Sequence, residues 1–231
     1  MSRNWTRITK CAIDRSGAFA GIVLLAPMWL VVVLLIRVTM GRPVFFLQDR
    51  VGKNDRIFKM WKFRTMREPS RGSGDTRVTD IQRGKSDALR ITGVGGLLRR
   101  TSLDELPQLL NVLQGDMSLV GPRPQLAAYL ERYSPRQRRR HEMRPGITGL
   151  AQVRGRNTLS WEQKFEYDVQ YIDRWSLRLD ARLLVETVVV VATGAGVEAS
   201  RSVTPTEFRG ILDTPHRLAN RVERVGGRAA A

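Results

Sequence analysis

The sequence predicts a mostly helical α+β protein: a small domain with few short strands, interfacial amphipathic helices, and an N-terminal segment that enters a membrane. Three observations support this prediction. An uncharged stretch of about 18 residues, from Phe19 to Ile36, has the length of a short membrane helix. Short apolar runs between Gly and Asn-Asp breaks are typical of strands, and longer periodic stretches are typical of helices. The net charge of +17 indicates an anionic partner: nucleic acid, anionic lipid or a phosphorylated substrate.

Residues 1–40 form the predicted membrane segment. Arg37 and Arg42 follow the apolar stretch, and Pro27 near its middle predicts a break or kink. Basic residues also precede the stretch, so the positive-inside rule places both flanks on the cytoplasmic side. A re-entrant helix–break–helix satisfies both observations, and we favour it over a spanning helix; a buried core helix is the remaining alternative. The preceding cations are Arg3, Arg7, Lys10 and Arg15.

Residues 41–200 form the predicted main domain, and residues 201–231 form a basic C-terminal tail. Two strands are predicted at the start of this domain, Val44–Gln48 and Ile57–Phe63, joined by a turn at Gly52–Asp55. The polar, Gly/Ser-rich stretch that follows them is typical of a surface loop.

The second half of the domain shows mainly helical patterns. Gln125–Arg140 predicts a charged amphipathic helix, and its basic end, Arg136–Arg140, is more typical of a solvated or lipid-facing surface than of base recognition. Residues 144–156 predict a loop whose glycines permit close approach of a ligand. Trp161–Trp175 predicts a further helix. Leu183–Val191 is strongly apolar with one acid, and it is either core or interfacial.

The stretch SLDELPQLLNVLQGDMSLVGPRP begins with two adjacent acids, Asp104 and Glu105. Ser102 and Glu105 fit a capping box at a helix start. In that register Pro107 would be the fifth helical residue, where its ring meets the carbonyl of Leu103. Because proline prefers the first helical position, a helix beginning near Pro107 is the second interpretation. The acids would then lie in the preceding turn, beside amide groups that attract anions or metal-bound phosphate. At this point both interpretations stay open.

Several arginines lie beside Gly or Pro turns, where the fixed backbone and the planar guanidinium suit bidentate phosphate binding. The single Cys11 excludes an internal disulfide, and the two distant histidines, His141 and His216, argue against a zinc site. No helix-turn-helix, zinc finger or aromatic stacking platform is visible, so nucleic acid is not the expected partner. The arginines are Arg64, Arg99, Arg100, Arg123, Arg154 and Arg156.

Together these stretches resemble the monotopic phosphoglycosyl transferases, the bacterial sugar transferases that initiate exopolysaccharide, O-antigen, capsule and glycoprotein glycan assembly. The resemblance extends from Lys10 to about Val190, with two departures: Ala26-Pro27 replaces the usual Ser-Pro, and Lys10-Cys11 replaces a Lys-Arg pair. It is carried, in the family's order, by GRPVFFLQDRVGKNDRIFKMWKFRTM, LRRTSLDELPQLLNVLQGDMSLVGPRP, RPGITGLAQVRGR and WSLRLDARLL.

The resemblance implies a two-step reaction. Asp104 would attack the β-phosphorus of a UDP-sugar, expel UMP and hold the phosphosugar as an acyl phosphate. Undecaprenyl phosphate would then attack this intermediate and give undecaprenyl-diphospho-sugar. Glu105 would hold the Mg²⁺ that bridges the diphosphate. By the same resemblance, Arg99, Arg123 and Arg156 would bind phosphate groups.

The resemblance further implies the cytoplasmic face of the bacterial inner membrane, where anionic lipids attract interfacial cations by about 1 kcal/mol each. The sequence names no sugar, and it leaves a homodimer open. Two alternatives remain. One is a phosphohydrolase with the same Asp nucleophile, and the other is a non-catalytic, basic membrane-bound module that binds nucleic acid or anionic lipid.

Overall fold

The computed structural model describes residues 3–67, 90–155, 158–193, 208 and 210. Its longest element is the N-terminal helix α1 (Arg3–Met40), which continues without interruption through Pro27. The predicted long apolar helix is thereby confirmed, and its re-entrant course stays a prediction. The polar loop predicted after the second strand lies largely outside the described residues.

Two small sheets follow α1. Strands β1 (Phe45–Val51) and β2 (Ile57–Phe63) form an antiparallel hairpin around a short 3₁₀ turn, Lys53–Asp55. This confirms the predicted strands and turn, with β1 ending three residues later than expected. Strands β3 (Ser118–Val120) and β4 (Gly146–Thr148) pair in parallel, which the sequence pattern did not indicate.

The predicted helix over Gln125–Arg140 is wrong. This segment contains a 3₁₀ turn, Ala127–Arg132, and then a new short helix that begins behind a capping box between Ser134 and Gln137. The predicted loop at residues 144–156 contains β4 and a short helix. The helices after α1 are α2 (Gly93–Arg100), α3 (Gln108–Gln114), α4 (Pro135–Arg138), α5 (Leu150–Arg154), α6 (Trp161–Arg174) and α7 (Leu177–Thr193).

Both halves of α1 pack against the main domain. Before Pro27, Ala18 is buried in a cluster with side chains of β2 and α3. After Pro27, Val32 and Ile36 are buried against Phe63 and Leu98. The opposite face of α1 exposes large apolar side chains, and only 11% of its most apolar 18-residue window is buried. A core helix would be mostly buried, so that alternative is wrong, and the exposed face indicates a location at a membrane.

A buried polar network, which we call the docking cluster, joins the start of α1 to the domain. Lys10 Nζ donates to Asp180 Oδ2 at 2.6 Å and to the carbonyl of Val120 at 3.2 Å. The Ser118 hydroxyl donates to Asp14 Oδ2 at 2.7 Å. The Asp180 carboxylate also accepts bonds from two aromatic side chains, so each charge of the cluster is compensated. Its members are Lys10, Asp14, Ser118, Tyr171, Trp175 and Asp180.

Helix α7 carries the apolar stretch Leu183–Val191 that was either core or interfacial. Leu183 is 1% exposed and packs against Tyr171, whereas several of its apolar neighbours are exposed. The core interpretation therefore holds for one face only. The outer face of α7 presents Leu184, Val185, Val188, Val189 and Val191.

Candidate active site

The two adjacent acids lie in a 3₁₀ turn, Leu103–Glu105, directly before α3. Ser102 is in the left-handed region (φ 58°), and its side chain makes no capping bond. Helix α3 begins at Gln108 with Pro107 immediately before it. The capping-box interpretation is therefore wrong, and the interpretation of a helix beginning near Pro107 is confirmed. The left-handed residue turns the chain so that both acids face the β1–β2 hairpin.

Glu105 is held by two cations from different parts of the chain. Arg123 donates from both terminal nitrogens, Nη2 to Oε1 at 2.6 Å and Nη1 to Oε2 at 3.3 Å. Lys62 Nζ donates to the same Oε1 at 3.0 Å. Burial alone would raise the pKa of Glu105, but the charges of Arg123 and Lys62 outweigh it and hold that pKa well below its usual range. Glu105 is therefore a fixed negative charge.

Asp104 has the opposite environment. No hydrogen bond to its carboxylate is found in the described parts of the chain. Burial, together with the neighbouring charge of Glu105, raises the pKa of Asp104 to about 6, although three nearby cations oppose this. A carboxylate without donors keeps its lone pairs available for attack on an electrophile. The opposing cations are Lys62, Arg99 and Arg123.

The structure brings four of the five predicted site residues together. Asp104, Glu105 and Arg123 are adjacent, and Arg99 lies close enough to act on the pKa of Asp104. The Nε of Arg99 donates to the Thr65 hydroxyl at 2.9 Å, which holds its guanidinium in place. The fifth residue, Arg156, lies outside the described residues.

Two further cations were not singled out from the sequence. Lys62 lies in β2 and bonds Glu105 as described. Arg50 lies in β1; burial and the charge of Arg123 lower its pKa to about 10. Its Nη2 donates to Gln48 at 2.6 Å, while its Nε is buried without an acceptor in the described structure. We call Arg50, Lys62, Asp104, Glu105 and Arg123 the dyad cluster.

Asn111 connects helix α3, which directly follows the turn with the two acids, to strand β2, which carries Lys62. It is 0% exposed, and its side chain accepts from the amide of Trp61 at 3.0 Å and donates to the carbonyl of Lys59 at 2.8 Å. Removing the side-chain carbonyl or amide group of Asn111 would leave the backbone group that it bonds, in Trp61 or Lys59, without that partner. In the sequence, the only indication that Asn111 connects these elements is that it is a single asparagine within an apolar helix.

The position of Arg123 depends on Arg140, which is 1% exposed. Arg140 Nη2 donates to the carbonyl of Arg123 at 2.6 Å and to Asp168 Oδ2 at 2.6 Å. Its Nη1 donates to the hydroxyl of Tyr133 at 2.9 Å. Arg140 thus links the loop between Pro122 and Pro124 to helix α6.

The run Arg136–Arg140 was predicted to be a solvated or lipid-facing surface. For Arg140 this is wrong, because Asp168 draws it into the interior. The exposed members Arg136 and Arg139 bond carboxylates of α6. Much of the charge of this run is therefore compensated within the protein.

The adjacent carboxylates fit one kind of metal site. In the described residues no group of three His, Cys, Asp or Glu side chains could hold an ion. Mg²⁺ commonly binds through one or two carboxylates together with phosphate oxygens and water. Asp104 and Glu105 match such a partial ligand set, in which a bound phosphate compound and water would supply the other ligands. Glu105 would then have to give up part of its bonding to Lys62 or Arg123.

Comparisons with known proteins show the family to which the chain is similar. A family model described as "Bacterial sugar transferase" matches residues 5–194. The "Uncharacterized sugar transferase EpsL" of Bacillus subtilis (strain 168) is 44% identical over 206 residues, which cover 89% of this chain and 98% of the relative. The "Exopolysaccharide production protein ExoY" of Rhizobium meliloti (strain 1021) is 37% identical over 82% of this chain and 88% of its own length.

A third relative names its substrates. The "UDP-glucose:undecaprenyl-phosphate glucose-1-phosphate transferase" of Xanthomonas campestris pv. campestris is 40% identical over 196 residues. The match covers 81% of this chain and 40% of that relative, so the chain spans less than half of its length.

Proposed function

This chain belongs to the bacterial sugar transferase family, and from that premise we propose that it transfers a sugar-1-phosphate from a UDP-sugar to undecaprenyl phosphate. The products are UMP and undecaprenyl-diphospho-sugar, in a first membrane step of polysaccharide or glycoconjugate synthesis. The observation that carries the proposal is the environment of Asp104: a half-buried carboxylate without a donor among the described residues, surrounded by cations. The name of the Xanthomonas relative supports both substrate classes.

In the proposed first step, a carboxylate oxygen of Asp104 forms a bond to the β-phosphorus of the UDP-sugar. The bond between that phosphorus and the bridging oxygen breaks, and UMP leaves with the electron pair. In the second step, a phosphate oxygen of undecaprenyl phosphate attacks the same phosphorus, and the bond to Asp104 breaks. The carboxylate is regenerated, and neither step requires a proton from the protein.

Charge is the main obstacle to this chemistry, because a carboxylate must approach a diphosphate. Arg99, Arg123 and Lys62 surround the acids, and their positive charges reduce this repulsion. The planar fork of Arg123 suits two phosphate oxygens as well as it suits the Glu105 carboxylate. By family resemblance, Arg156 is proposed as a further phosphate ligand.

Glu105, with Asp104 beside it, is the proposed ligand of Mg²⁺. When bound, the ion would neutralise charge on the transferring phosphoryl oxygens. Glu105 is suited to this because its low pKa keeps it ionised at any pH at which the protein works. Arg123, which bonds Glu105 in this structure, would then be available to bind phosphate.

The membrane arrangement is also a proposal. A spanning helix would separate its two ends by the bilayer, yet Lys10 and Ile36 contact one and the same domain on either side of Pro27. This favours a re-entrant α1 that enters one leaflet and returns. We place the domain on the cytoplasmic face of the bacterial inner membrane, where undecaprenyl phosphate presents its head group and anionic lipids attract the basic surface.

The test is nucleotide release by the purified protein in detergent, with Mg²⁺, undecaprenyl phosphate and a panel of UDP-sugars. Continuous UMP release with one sugar in the presence of the lipid acceptor, and at most one equivalent of UMP per protein in its absence, is the expected result and names the donor. UDP instead of UMP would mean glycosyl transfer and would exclude the role given to Asp104. Turnover without acceptor would favour the phosphohydrolase. No release with any sugar would leave two possibilities, a rarer donor or the non-catalytic binding module. An Asp104→Asn variant that keeps every measured property would then favour the binding module.

A further inference from the structure

The C-terminal segment contributes one ring to the wall behind the active site. Phe208 is 4% exposed and lies among four aromatic rings. Arg132 Nη1 donates to the carbonyl of Phe208 at 2.7 Å, which fixes the backbone at that point. The ring centroids of these neighbours lie 4.8 to 5.8 Å from that of Phe208: Tyr129, Tyr133, Trp161 and Phe165.

The backbone at Gly210 packs closely against Arg132. Its φ is +62°, in the left-handed region that favours glycine. A Cβ atom at this position would lie 2.2 Å from the carbonyl oxygen of Arg132. A side chain at residue 210 would therefore displace the segment from the 3₁₀ turn that contains Arg132.

The aromatic cluster around Phe208 faces Arg140 on its other side. The guanidinium carbon of Arg140 lies 4.9 Å from the centroid of the Phe165 ring and 5.6 Å from that of Tyr133. Phe208 stacks on Tyr133 and packs edge-on against Phe165. The two rings that support Arg140 are thus themselves supported by Phe208.

We propose that Phe208 is a positioning residue of the active site, which fixes Arg140 and, through it, Arg123. Arg140 donates to the carbonyl of Arg123, so a displacement of its guanidinium moves the loop that carries the phosphate-binding fork. Without Phe208, the wall behind Tyr133 and Phe165 would contain a cavity and these rings could shift. The inference rests on the proposed function, and it assigns to a residue outside the family-matched region, 5–194, a role in catalysis.

The proposal predicts that Phe208→Ala lowers kcat/KM for UMP release by about 10²-fold, since a displacement of about 1 Å can cost that much. Phe208→Leu, which keeps most of the apolar volume, is expected to restore most of the rate. The matched control is Tyr167→Ala on α6, an aromatic residue outside the cluster, which is expected to leave the rate unchanged. Thermal unfolding in detergent shows whether each variant is folded.

A double-mutant cycle separates positioning from a general loss of packing. If Phe208 acts through Arg123, Phe208→Ala should change kcat/KM by less than about twofold in an Arg123→Ala background. Equal factors in both backgrounds would overturn the proposal, as would full activity of folded Phe208→Ala. If Phe208→Ala does not fold, the same cycle is run with Phe208→Val, which removes more of the ring volume than leucine does. A wild-type protein that releases no UMP, together with an Asp104→Asn variant that keeps every measured property, would contradict the proposed function instead.

Discussion

The docking cluster and the dyad cluster are both partly buried groups of acids and bases, and they differ in how completely they are bonded. In the docking cluster, Lys10 donates to a carboxylate and a carbonyl, and Asp180 accepts from three different side chains. In the dyad cluster, Asp104 has no donor within the described residues, and Arg50 Nε has no acceptor there.

This difference distinguishes a structural contact, the docking cluster, from a candidate ligand-binding site, the dyad cluster. A buried charge without a partner costs folding free energy, so it persists only where something else compensates for it. The docking cluster needs nothing from outside to be complete. Under the proposed function, a diphosphate would complete the dyad cluster, because it brings an electrophile for Asp104 and anionic oxygens for the cations.

The largest expected effect comes from Asp104→Asn. We expect UMP release to fall by about 10⁴-fold or more, because an amide cannot form the acyl phosphate. The thermal unfolding midpoint should not fall, because the substitution removes a carboxylate charge to which no group in the described residues donates a hydrogen bond. Both are measured on the same detergent-purified protein. Residual activity above about 1% would contradict the assignment of Asp104 as nucleophile.

Lys10→Met should show the reverse pattern. It leaves Asp180 and Asp14 buried without their cation, and breaking such a pair costs about 3–5 kcal/mol of folding free energy. The expected result is a lower unfolding midpoint, with unchanged UMP release per folded molecule below that midpoint. A variant as stable as the wild type would show that the docking cluster does not anchor α1.

Arg123→Ala should lower kcat by about 10²–10³-fold, the range found when one donor to a developing negative charge is removed. Arg123→Lys should recover little of this, because an ammonium group cannot reproduce the bidentate fork. The control is Arg136→Ala, whose guanidinium pairs with Glu166 on the surface and which should retain full activity. Equal losses in Arg123→Lys and Arg136→Ala would argue against a phosphate fork.

The pH dependence is the smallest expected effect. The pKa of Asp104 is raised to about 6, so the nucleophilic carboxylate is lost and UMP release falls as pH decreases through about 6. The folded protein binds this proton more tightly than the unfolded chain, whose pKa is about 3.9, so Asp104 increases stability as pH falls from about 6 to about 4.

Asp104→Asn should remove that contribution to stability. Unfolding midpoints of the wild type and the variant at pH 7 and pH 5 measure the difference directly. Glu105 has a lowered pKa and also contributes to the pH dependence of stability, but it is present in both proteins, so the difference between them reports Asp104. An identical pH response of both proteins would contradict the raised pKa of Asp104.

The sequence predicted correctly those elements whose formation depends on residues close together in the chain. The hairpin and the start of α3 follow from apolar runs, Gly and Asn breaks, and the steric demand of Pro107. Arg140 could not be assigned from local pattern, because five consecutive polar and basic residues are typical of a surface. Its partner Asp168 lies 28 residues away and is brought to it only by the tertiary fold.

The same reason explains what else the sequence did not show. Strands β3 and β4 have three residues each, too few to produce an alternating pattern. Lys62 lies in a recognisable strand, yet nothing within that strand indicates that Glu105 is opposite. The proximity of the acids to Arg123 was suggested by the family resemblance and not by spacing.

The bond between Lys10 and Asp180 has a consequence for how the protein is made. These residues are 170 positions apart in the chain, so α1 leaves the ribosome long before its partner is synthesised. The buried faces of α1, including Val32 and Ile36, have no domain to cover them during that interval. The lipid bilayer can hold the whole apolar helix until translation of α7 is complete. We therefore expect the bilayer to shield this part of the core during translation, and the docking cluster to close late in folding.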